Sequence, residues 1–163
     1  MLNSAILFIF VTLLKFSSSQ DMMIDGVVEC KENIHGLGEF SFLLQEATVN
    51  FYEKGGLFNI WDADEHLDGP VLTDSMGHFK VKGRGYEMTG GLEYIIKIDH
   101  NCYTPTSKEP LRMGCYYRTI IVLDEKPYVQ KIHIILGMES ARLVTGKGKD
   151  LEMKTIDVEC PKK

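Results

Sequence analysis

Apolar and polar residues alternate along most of this chain with a period of two residues. In the segment 47–53, Ala47, Val49 and Phe51 fall on one face and more polar residues on the other. This period is typical of a β-strand that buries one face. Further strands are predicted at 24–30, 93–102, 115–123, 129–137, 141–144 and 151–160. Because no long segment has the helical period, the pattern predicts an all-β fold, an antiparallel sandwich of about seven or eight strands.

The stretch from Val71 to Gly83 predicts two strands joined by a tight turn. Asp74 favours a turn because its side chain accepts backbone hydrogen bonds, and Gly77 does so because it adopts a positive φ angle without strain. From Phe79 onwards, apolar and polar residues alternate again, which predicts a strand with one buried face. An antiparallel hairpin is therefore expected here, with Gly83 closing its second strand.

Two segments leave more than one interpretation open. The glycines of 31–39 predict a loop, whereas the overlapping segment 37–45 fits either a strand extension or one helical turn. The acidic segment 62–68 suggests a calcium loop, which would need a bidentate Glu at its twelfth position. Counting from Asp62, that position is Thr73, so a solvated loop or a single helical turn is favoured over a calcium site.

The N-terminal segment is predicted to be a signal peptide. Residues 1–14 are almost wholly apolar, and small residues follow at Ser17 and Ser19, where a signal peptidase would cut. A retained membrane anchor is the alternative, but the run is shorter than the roughly 20 apolar residues that span a bilayer. We expect a signal peptide over 1–19 and one secreted, extracellular domain over 20–163, with no stable membrane insertion.

Charge narrows the range of partners. The chain of 163 residues has a formal net charge of −5. An acidic domain has no general attraction for nucleic acid, because such binding depends on Lys and Arg side chains that neutralise phosphates. The same sign disfavours unspecific binding to anionic lipid. No nucleic-acid partner is therefore expected.

Four cysteines follow the predicted signal peptide: Cys30, Cys102, Cys115 and Cys160. An even number in a secreted chain indicates two disulfides, for which three pairings are possible. A zinc site is the alternative, but the chain lacks CxxC spacing. Cys102 and Cys115 lie close in sequence, whereas Cys30 and Cys160 bracket the domain. The simplest prediction therefore pairs Cys102 with Cys115 and Cys30 with Cys160.

Recognisable catalytic motifs are absent from the sequence, which has no G-x-S-x-G, HExxH, P-loop or dinucleotide-binding fingerprint. The five histidines are dispersed and form no HxH pair. His100 is predicted to be a core histidine with a backbone partner, because it shares the apolar face of its strand. We therefore expect no catalytic residue, no cofactor and no metal site, and a protein that is not an enzyme.

Two motifs and the order of the cysteines resemble the nematode transthyretin-like family. Residues 73–83 are similar to the family's T-D-x-x-G-x-F-x-x-x-G hairpin, and residues 96–102 to its L-x-I-x-H-x-C segment. Cys30, Cys115 and Cys160 stand where the family has its early, post-loop and terminal cysteines. The resemblance covers essentially the whole chain after residue 19.

Three positions differ from the family pattern. Ile134 replaces the aspartate of the late D-I-G segment, Tyr94-Ile95 stand in place of Pro-Tyr, and 37–45 lies where the chain is longer than the family. The chain thus resembles a divergent member. The resemblance implies a disulfide-stabilised, transthyretin-like sandwich of the immunoglobulin-like prealbumin type.

The resemblance also implies a small secreted adaptor that recognises an extracellular protein or a cell surface. An exposed apolar patch near Phe40 and Phe42 is the expected contact. His78 and Lys80 are further candidates for contact, because the alternation of their strand turns them towards solvent.

Two other functions stay open. One is a carrier of a small apolar ligand. The other is a small-metabolite hydrolase of the hydroxyisourate hydrolase type, which would gather two histidines with Arg84, Arg112, Arg118 or Arg142. Such hydrolases end in Y-R-G-S, whereas this chain ends in E-C-P-K-K, so the hydrolase is the less favoured of the two.

Overall fold

Ten β-strands and no helix make up the part of the chain that the computed structural model describes, which is 18–34, 36–54, 64–87, 93–103, 111–123, 129–137, 140–144 and 151–160. The strands are β1 (Ser18–Ile34), β2 (Gly38–Leu43), β3 (Thr48–Glu53), β4 (Glu65–Leu72), β5 (His78–Glu87), β6 (Tyr94–His100), β7 (Tyr116–Leu123), β8 (Val129–Leu136), β9 (Ser140–Leu143) and β10 (Met153–Glu159). The predicted all-β class is confirmed, with more strands than the sequence indicated.

The strands form two five-stranded sheets that pack as a sandwich. The first sheet has the order β2-β1-β8-β9, and β5 also pairs with β1. The second sheet has the order β10-β7-β6-β3-β4, and all its pairs are antiparallel. In the first sheet β1 and β8 run parallel, so the architecture is mixed there rather than purely antiparallel.

The core lies between the two sheets and follows the period-two pattern. On β1, Met22, Ile24, Gly26, Val28 and Cys30 are buried, while the residues that alternate with them are partly exposed. The second sheet adds an aromatic pair, Phe51 and Tyr94, whose rings stack with centroids 5.5 Å apart. Burial of such side chains is the main favourable contribution to folding, because each removes a large apolar area from water.

The segment 71–83 is a corner between the sheets and not a hairpin. Strand β4 pairs with β3 in the second sheet, whereas β5 pairs with β1 in the first. The turn itself forms as predicted, because the carboxylate of Asp74 accepts the N–H groups of Met76 and His78 at 2.8 and 2.9 Å. These turn residues determine the local turn, whereas contacts elsewhere in the fold determine which strands pair with β4 and β5.

Gly77 is required at this corner for two reasons. Its φ angle is +69°, a conformation that costs other residues strain. A Cβ added to it would also collide with the carbonyl oxygen of Val28. The same close approach lets the Val28 N–H donate to the Gly77 carbonyl at 2.9 Å, which joins the corner to β1.

We expect Gly77→Ala to destabilise the protein by on the order of 2–4 kcal/mol, because backbone strain and a collision add together. Gly36→Ala is the matched control, since Gly36 has a φ angle of +83° but nothing within 4 Å of an added Cβ. The control should lose only about 1 kcal/mol. Urea unfolding measures both, and equal losses would contradict the role of the Val28 contact.

Both disulfides form, but the predicted pairing is wrong. Cys30 is bonded to Cys102, and Cys115 to Cys160. The predicted pairs, Cys30 with Cys160 and Cys102 with Cys115, rested on distance along the chain. Packing of the two sheets instead brings Cys102 close to Cys30. Cys102 follows β6 and meets β1 across the core, and both cysteines are buried.

The second disulfide follows from strand register. Strands β7 and β10 are antiparallel neighbours, and Tyr116 lies opposite Glu159. The next residues outward, Cys115 and Cys160, are therefore opposite each other, with their Cα atoms 4.2 Å apart. The sequence contains no sign that its last strand lies beside β7, which is why this pairing could not be predicted.

Non-reducing peptide mapping of the oxidised protein tests the pairing. We expect one linked peptide that contains Cys30 with Cys102 and another that contains Cys115 with Cys160. A reduced and alkylated sample is the control and should contain neither. Recovery of a Cys102–Cys115 peptide as the main product would show that the two sheets are joined differently.

Several further element predictions change. The first strand is predicted at 24–30, but the observed strand β1 is longer and covers Ser18–Ile34. The loop predicted at 31–39 is therefore partly strand. The ambiguous segment 37–45 contains β2, and much of the acidic segment 62–68 belongs to β4 instead of a loop. The signal peptide predicted at 1–19 lies outside the described residues except for its last two, so its cleavage stays a prediction.

Candidate docking surface

A hairpin of β1 and β2 projects from the first sheet. A short loop that contains Gly36 connects the strands, and Gly36 and Gly38 both have positive φ angles. The register from Glu29 opposite Leu43 to Ile34 opposite Gly38 runs without a shift. All six residues of β2 are exposed, so both faces of this strand meet solvent.

Phe40 and Phe42 lie side by side on one face of the hairpin. Phe42 is opposite Cys30, whose side chain is in the core, so the phenylalanines extend the core-facing side of the sheet beyond the part that the second sheet covers. They are 45% and 47% exposed, and Leu37 and Tyr103 are also exposed. Neighbouring exposed aromatic side chains make this face a candidate interaction surface.

The opposite face of the hairpin is polar. Lys31 forms an ion pair with Glu39 at 2.8 Å, and the Ser41 hydroxyl donates to Glu29. Glu29 also contacts His133 Nε2 at 2.8 Å, which continues the polar row onto β8. One face of the hairpin thus has Phe40 and Phe42 with Glu32 beside them, and the other face has a row of hydrogen-bonded polar side chains.

Thr73 fixes the base of the hairpin. Its buried hydroxyl donates to the Leu44 carbonyl at 2.6 Å and accepts the N–H of Ala47 at 2.9 Å. The Leu44 N–H in turn donates to the Val28 carbonyl at 2.9 Å. These bonds hold the segment between β2 and β3 against both the corner and β1.

A cleft of about 290 Å³ lies beside this base. It is lined by Leu44, Gln45, Glu46, Ala47, Thr48, Asp99, His100, Asn101 and Tyr116. Glu46 has a φ angle of +61°, unusual for a residue with a side chain. Most lining residues are polar, so the cleft suits a polar group better than an apolar one.

His100 is a core histidine, as predicted, with 3% of its surface exposed. Its Nε2 is 2.9 Å from the Thr119 hydroxyl, so the ring bonds a side chain on the neighbouring strand. Burial lowers the pKa of His100 to about 4, because the imidazolium form would lose its hydration, although the Asp99 carboxylate and the Cys102 backbone act in the opposite direction.

This shift makes stability depend on pH. The folded-state pKa of His100 lies below the ordinary value of 6.5, so the unfolded chain binds the proton more readily between these values. The stability that the neutral ring contributes is therefore complete above about pH 6.5 and is lost as the pH falls towards 4.

We expect the His100→Gln variant to lose less unfolding free energy than the wild type between pH 7 and pH 4.5, by on the order of 2 kcal/mol. Glutamine keeps a hydrogen-bonding group but does not titrate. Urea unfolding at both pH values measures the difference. His78→Gln is the control, since His78 is exposed; equal pH dependence in all three proteins would contradict the buried titration.

Arg118 joins three strands beside the cleft. It binds the Asp99 carboxylate through two nitrogens, at 2.6 and 2.8 Å, and contacts Glu159 at 2.7 Å. Because Asp99 is on β6 and Glu159 on β10, the guanidinium of this β7 residue connects its two neighbours. The hydrogen bond and charge of Asp99 raise the pKa of Arg118, so its guanidinium stays protonated.

The described histidines lie on four different strands: His66 on β4, His78 on β5, His100 on β6 and His133 on β8. Of the arginines considered for a hydrolase, Arg142 lies opposite His133 in the β8·β9 register. His35, the fifth histidine, lies outside the described residues.

Acidic residues near the suggested calcium loop have partners within the protein. Asp64 forms an ion pair with Lys97 at 2.6 Å. The Asp68 carboxylate accepts the N–H groups of Gly69 and Lys82 at 2.9 and 2.8 Å. Asp62, the first position counted for that loop, lies outside the described residues.

Among the described residues, one group of His, Cys, Asp or Glu side chains is close enough to share a metal ion: Cys30, Glu32 and Cys102. Both of its sulfurs belong to a disulfide, so neither is a thiolate ligand. Glu32 instead accepts the Tyr103 N–H at 3.2 Å, next to the disulfide. The group therefore supports the junction of β1 and β6.

Two comparisons with known proteins find no match to this chain. A scan against models of protein families finds no match, and a search of curated proteins finds none either. In the described part of the chain, no helix has the length and hydrophobicity needed to cross a membrane. The two disulfides fit an extracellular protein, because such bonds persist in oxidising compartments.

Proposed function

We propose that this protein is a secreted, non-enzymatic adaptor that binds an extracellular protein or a cell surface through the β1–β2 hairpin. The observation that carries the proposal is the exposure of Phe40 and Phe42 on one face of β2, a strand at the edge of the first sheet. Aromatic side chains are enriched at the energetic centres of protein interfaces. Their exposure has a cost in water that a bound partner would remove.

The proposed affiliation is a divergent branch of the transthyretin-like family. An all-β, two-sheet sandwich with a Thr-Asp-Ser-Met-Gly corner agrees with the resemblance drawn from 73–83. The hairpin falls in the segment 37–45, where the sequence is longer than the family pattern. A surface specific to this chain is therefore expected to lie there, and relatives would not share its partner.

Secretion is part of the same proposal. The apolar segment 1–14 is a suitable signal sequence, and the disulfides favour an oxidising compartment. Carriage of a small apolar ligand is less favoured, because the cleft beside His100 has Glu46 and Asp99 in its wall. A hydrolase is less favoured as well, because the described residues that line this cleft include one histidine, His100, and none of the four arginines considered for such a site.

A comparative capture experiment tests the adaptor function. Purified, oxidised wild-type protein and the variant Phe40→Ser/Phe42→Ser would be immobilised and exposed to extracellular extract and to intact cells. We expect a saturable partner on the wild type and a loss of affinity on the order of tenfold or more in the variant, because both aromatic anchors are removed.

Met113→Ser is the matched control, because Met113 is a fully exposed apolar residue outside the hairpin. This control should still bind the partner. All three proteins should also have the same unfolding free energy, since the substituted side chains are exposed. A partner bound equally by the wild type and the double variant would place the binding surface elsewhere. The absence of any saturable partner would contradict the adaptor function itself.

A further inference from the structure

We propose that two copies of this chain associate through the outer edges of β2, forming a symmetric antiparallel pair that continues the first sheet across both molecules. Among the described residues, β2 pairs only with β1, so its other edge is open.

The hydrogen bonds at the base of the hairpin identify the groups on the open edge. The Leu44 N–H donates to the Val28 carbonyl, so the backbone groups of Leu44 point towards β1. Since these groups alternate along a strand, those of Phe42 and Phe40 also point towards β1. The N–H and C=O groups of Glu39, Ser41 and Leu43 therefore point outwards.

One antiparallel register uses all three outward residues of each copy. Ser41 of one copy then lies opposite Ser41 of the other, and Glu39 opposite Leu43. Each of these pairs exchanges two N–H···O=C bonds, as hydrogen-bonded pairs of antiparallel strands do. A shift by two residues in either direction leaves an outward residue without a strand partner, so the register centred on Ser41 is the favoured one.

The same register pairs the aromatic residues. Phe40 of one copy lies opposite Phe42 of the other at non-hydrogen-bonded positions, where side chains are closest. Such aromatic cross-strand pairs stabilise a sheet. Charge does not oppose the contact, because Glu39 faces Leu43 across the edge and its carboxylate is already paired with Lys31 at 2.8 Å.

Two other edge strands, β5 and β4, have protection that β2 lacks. On β5, the outward N–H of Lys82 donates to Asp68 at 2.8 Å and the His78 carbonyl accepts the Asp74 N–H at 3.0 Å. Strand β4 contains Pro70 and pairs with β3 through register shifts. By contrast, β2 has no proline, lysine or bulge, the usual devices that prevent edge pairing.

The size of the contact predicts how strong the association is. A pair of six-residue strands is at the small end of specific interfaces, so a reversible, concentration-dependent dimer is expected instead of a permanent one. The dimer would place four phenylalanines, two from each copy, along one continuous face. If the proposed adaptor function holds, a multivalent partner would bind this doubled surface with increased avidity.

Sedimentation velocity over a concentration series tests the dimer. We expect the wild type to change from monomer to dimer and Ser41→Pro to remain monomeric, because proline removes the outward N–H of Ser41 but none of the bonds to β1. Ser41→Ala is the control: it keeps the N–H and should dimerise like the wild type. Circular dichroism would check that each variant has the same strand content.

Crosslinking provides a second measurement that does not depend on proline. In the proposed register the two Ser41 Cα atoms are about 5.5 Å apart, a separation that a disulfide can span. Ser41→Cys should therefore form a covalent dimer on mild oxidation. Glu39→Cys should not, because Glu39 faces Leu43 and is several residues from its own counterpart.

Two results would overturn the proposal: a wild type that stays monomeric up to roughly 1 mM, or a dimer that Ser41→Pro leaves unchanged while Ser41→Cys fails to crosslink. Neither result bears on partner capture, which uses Phe40→Ser/Phe42→Ser on immobilised, separated molecules. The failure of self-association and the failure of the adaptor function are thus distinguishable.

Discussion

The pairing of β1 with three other strands is the constraint on which the rest of the structure depends. Its first half pairs with β5 and its second half with β2 along the same side, while β8 runs parallel to it on the other side. The second sheet packs on one face of this strand, and the buried positions of β1 follow strict alternation from Met22 to Cys30. Gly26 interrupts the row of side chains because Phe79 and Ile132 occupy the space where its Cβ would lie. A single strand thus determines the register of the corner, of the hairpin and of the parallel pair.

The sequence predicted local structure well because local structure depends on neighbours along the chain. Alternation identified most strands, and Asp74 and Gly77 identified a turn whose hydrogen bonds form as expected. Which strands pair with each other depends on packing across the core, and the alternation of apolar and polar residues carries no information about that packing. The sequence therefore predicts a hairpin where the structure has a corner. It also predicts that Cys102 pairs with its neighbour in sequence, Cys115, whereas Cys102 is bonded to Cys30.

The candidate site was predictable in part for the same reason. The sequence predicts an exposed apolar patch near Phe40 and Phe42, and both side chains are exposed; the strand pairing that puts them on the edge strand β2 has no local signal. For His100, the face of its strand correctly indicated burial. Its partner, the Thr119 hydroxyl, comes from the strand register of β6 with β7 and has no counterpart in the local sequence.

Thr73 and Val28 together define where the hairpin joins the sandwich, and this has a consequence for how the protein can be altered. The bonds of Leu44 to these two residues lie at the base of the hairpin, while the described contacts of its tip are with the hairpin itself. The segment 33–43, which leaves out Glu32 and its bond to the Tyr103 N–H, therefore behaves as a cassette with two fixed ends. Its length and side chains can change with little effect on the core, so a new recognition loop could be grafted there onto an otherwise intact, disulfide-bonded scaffold.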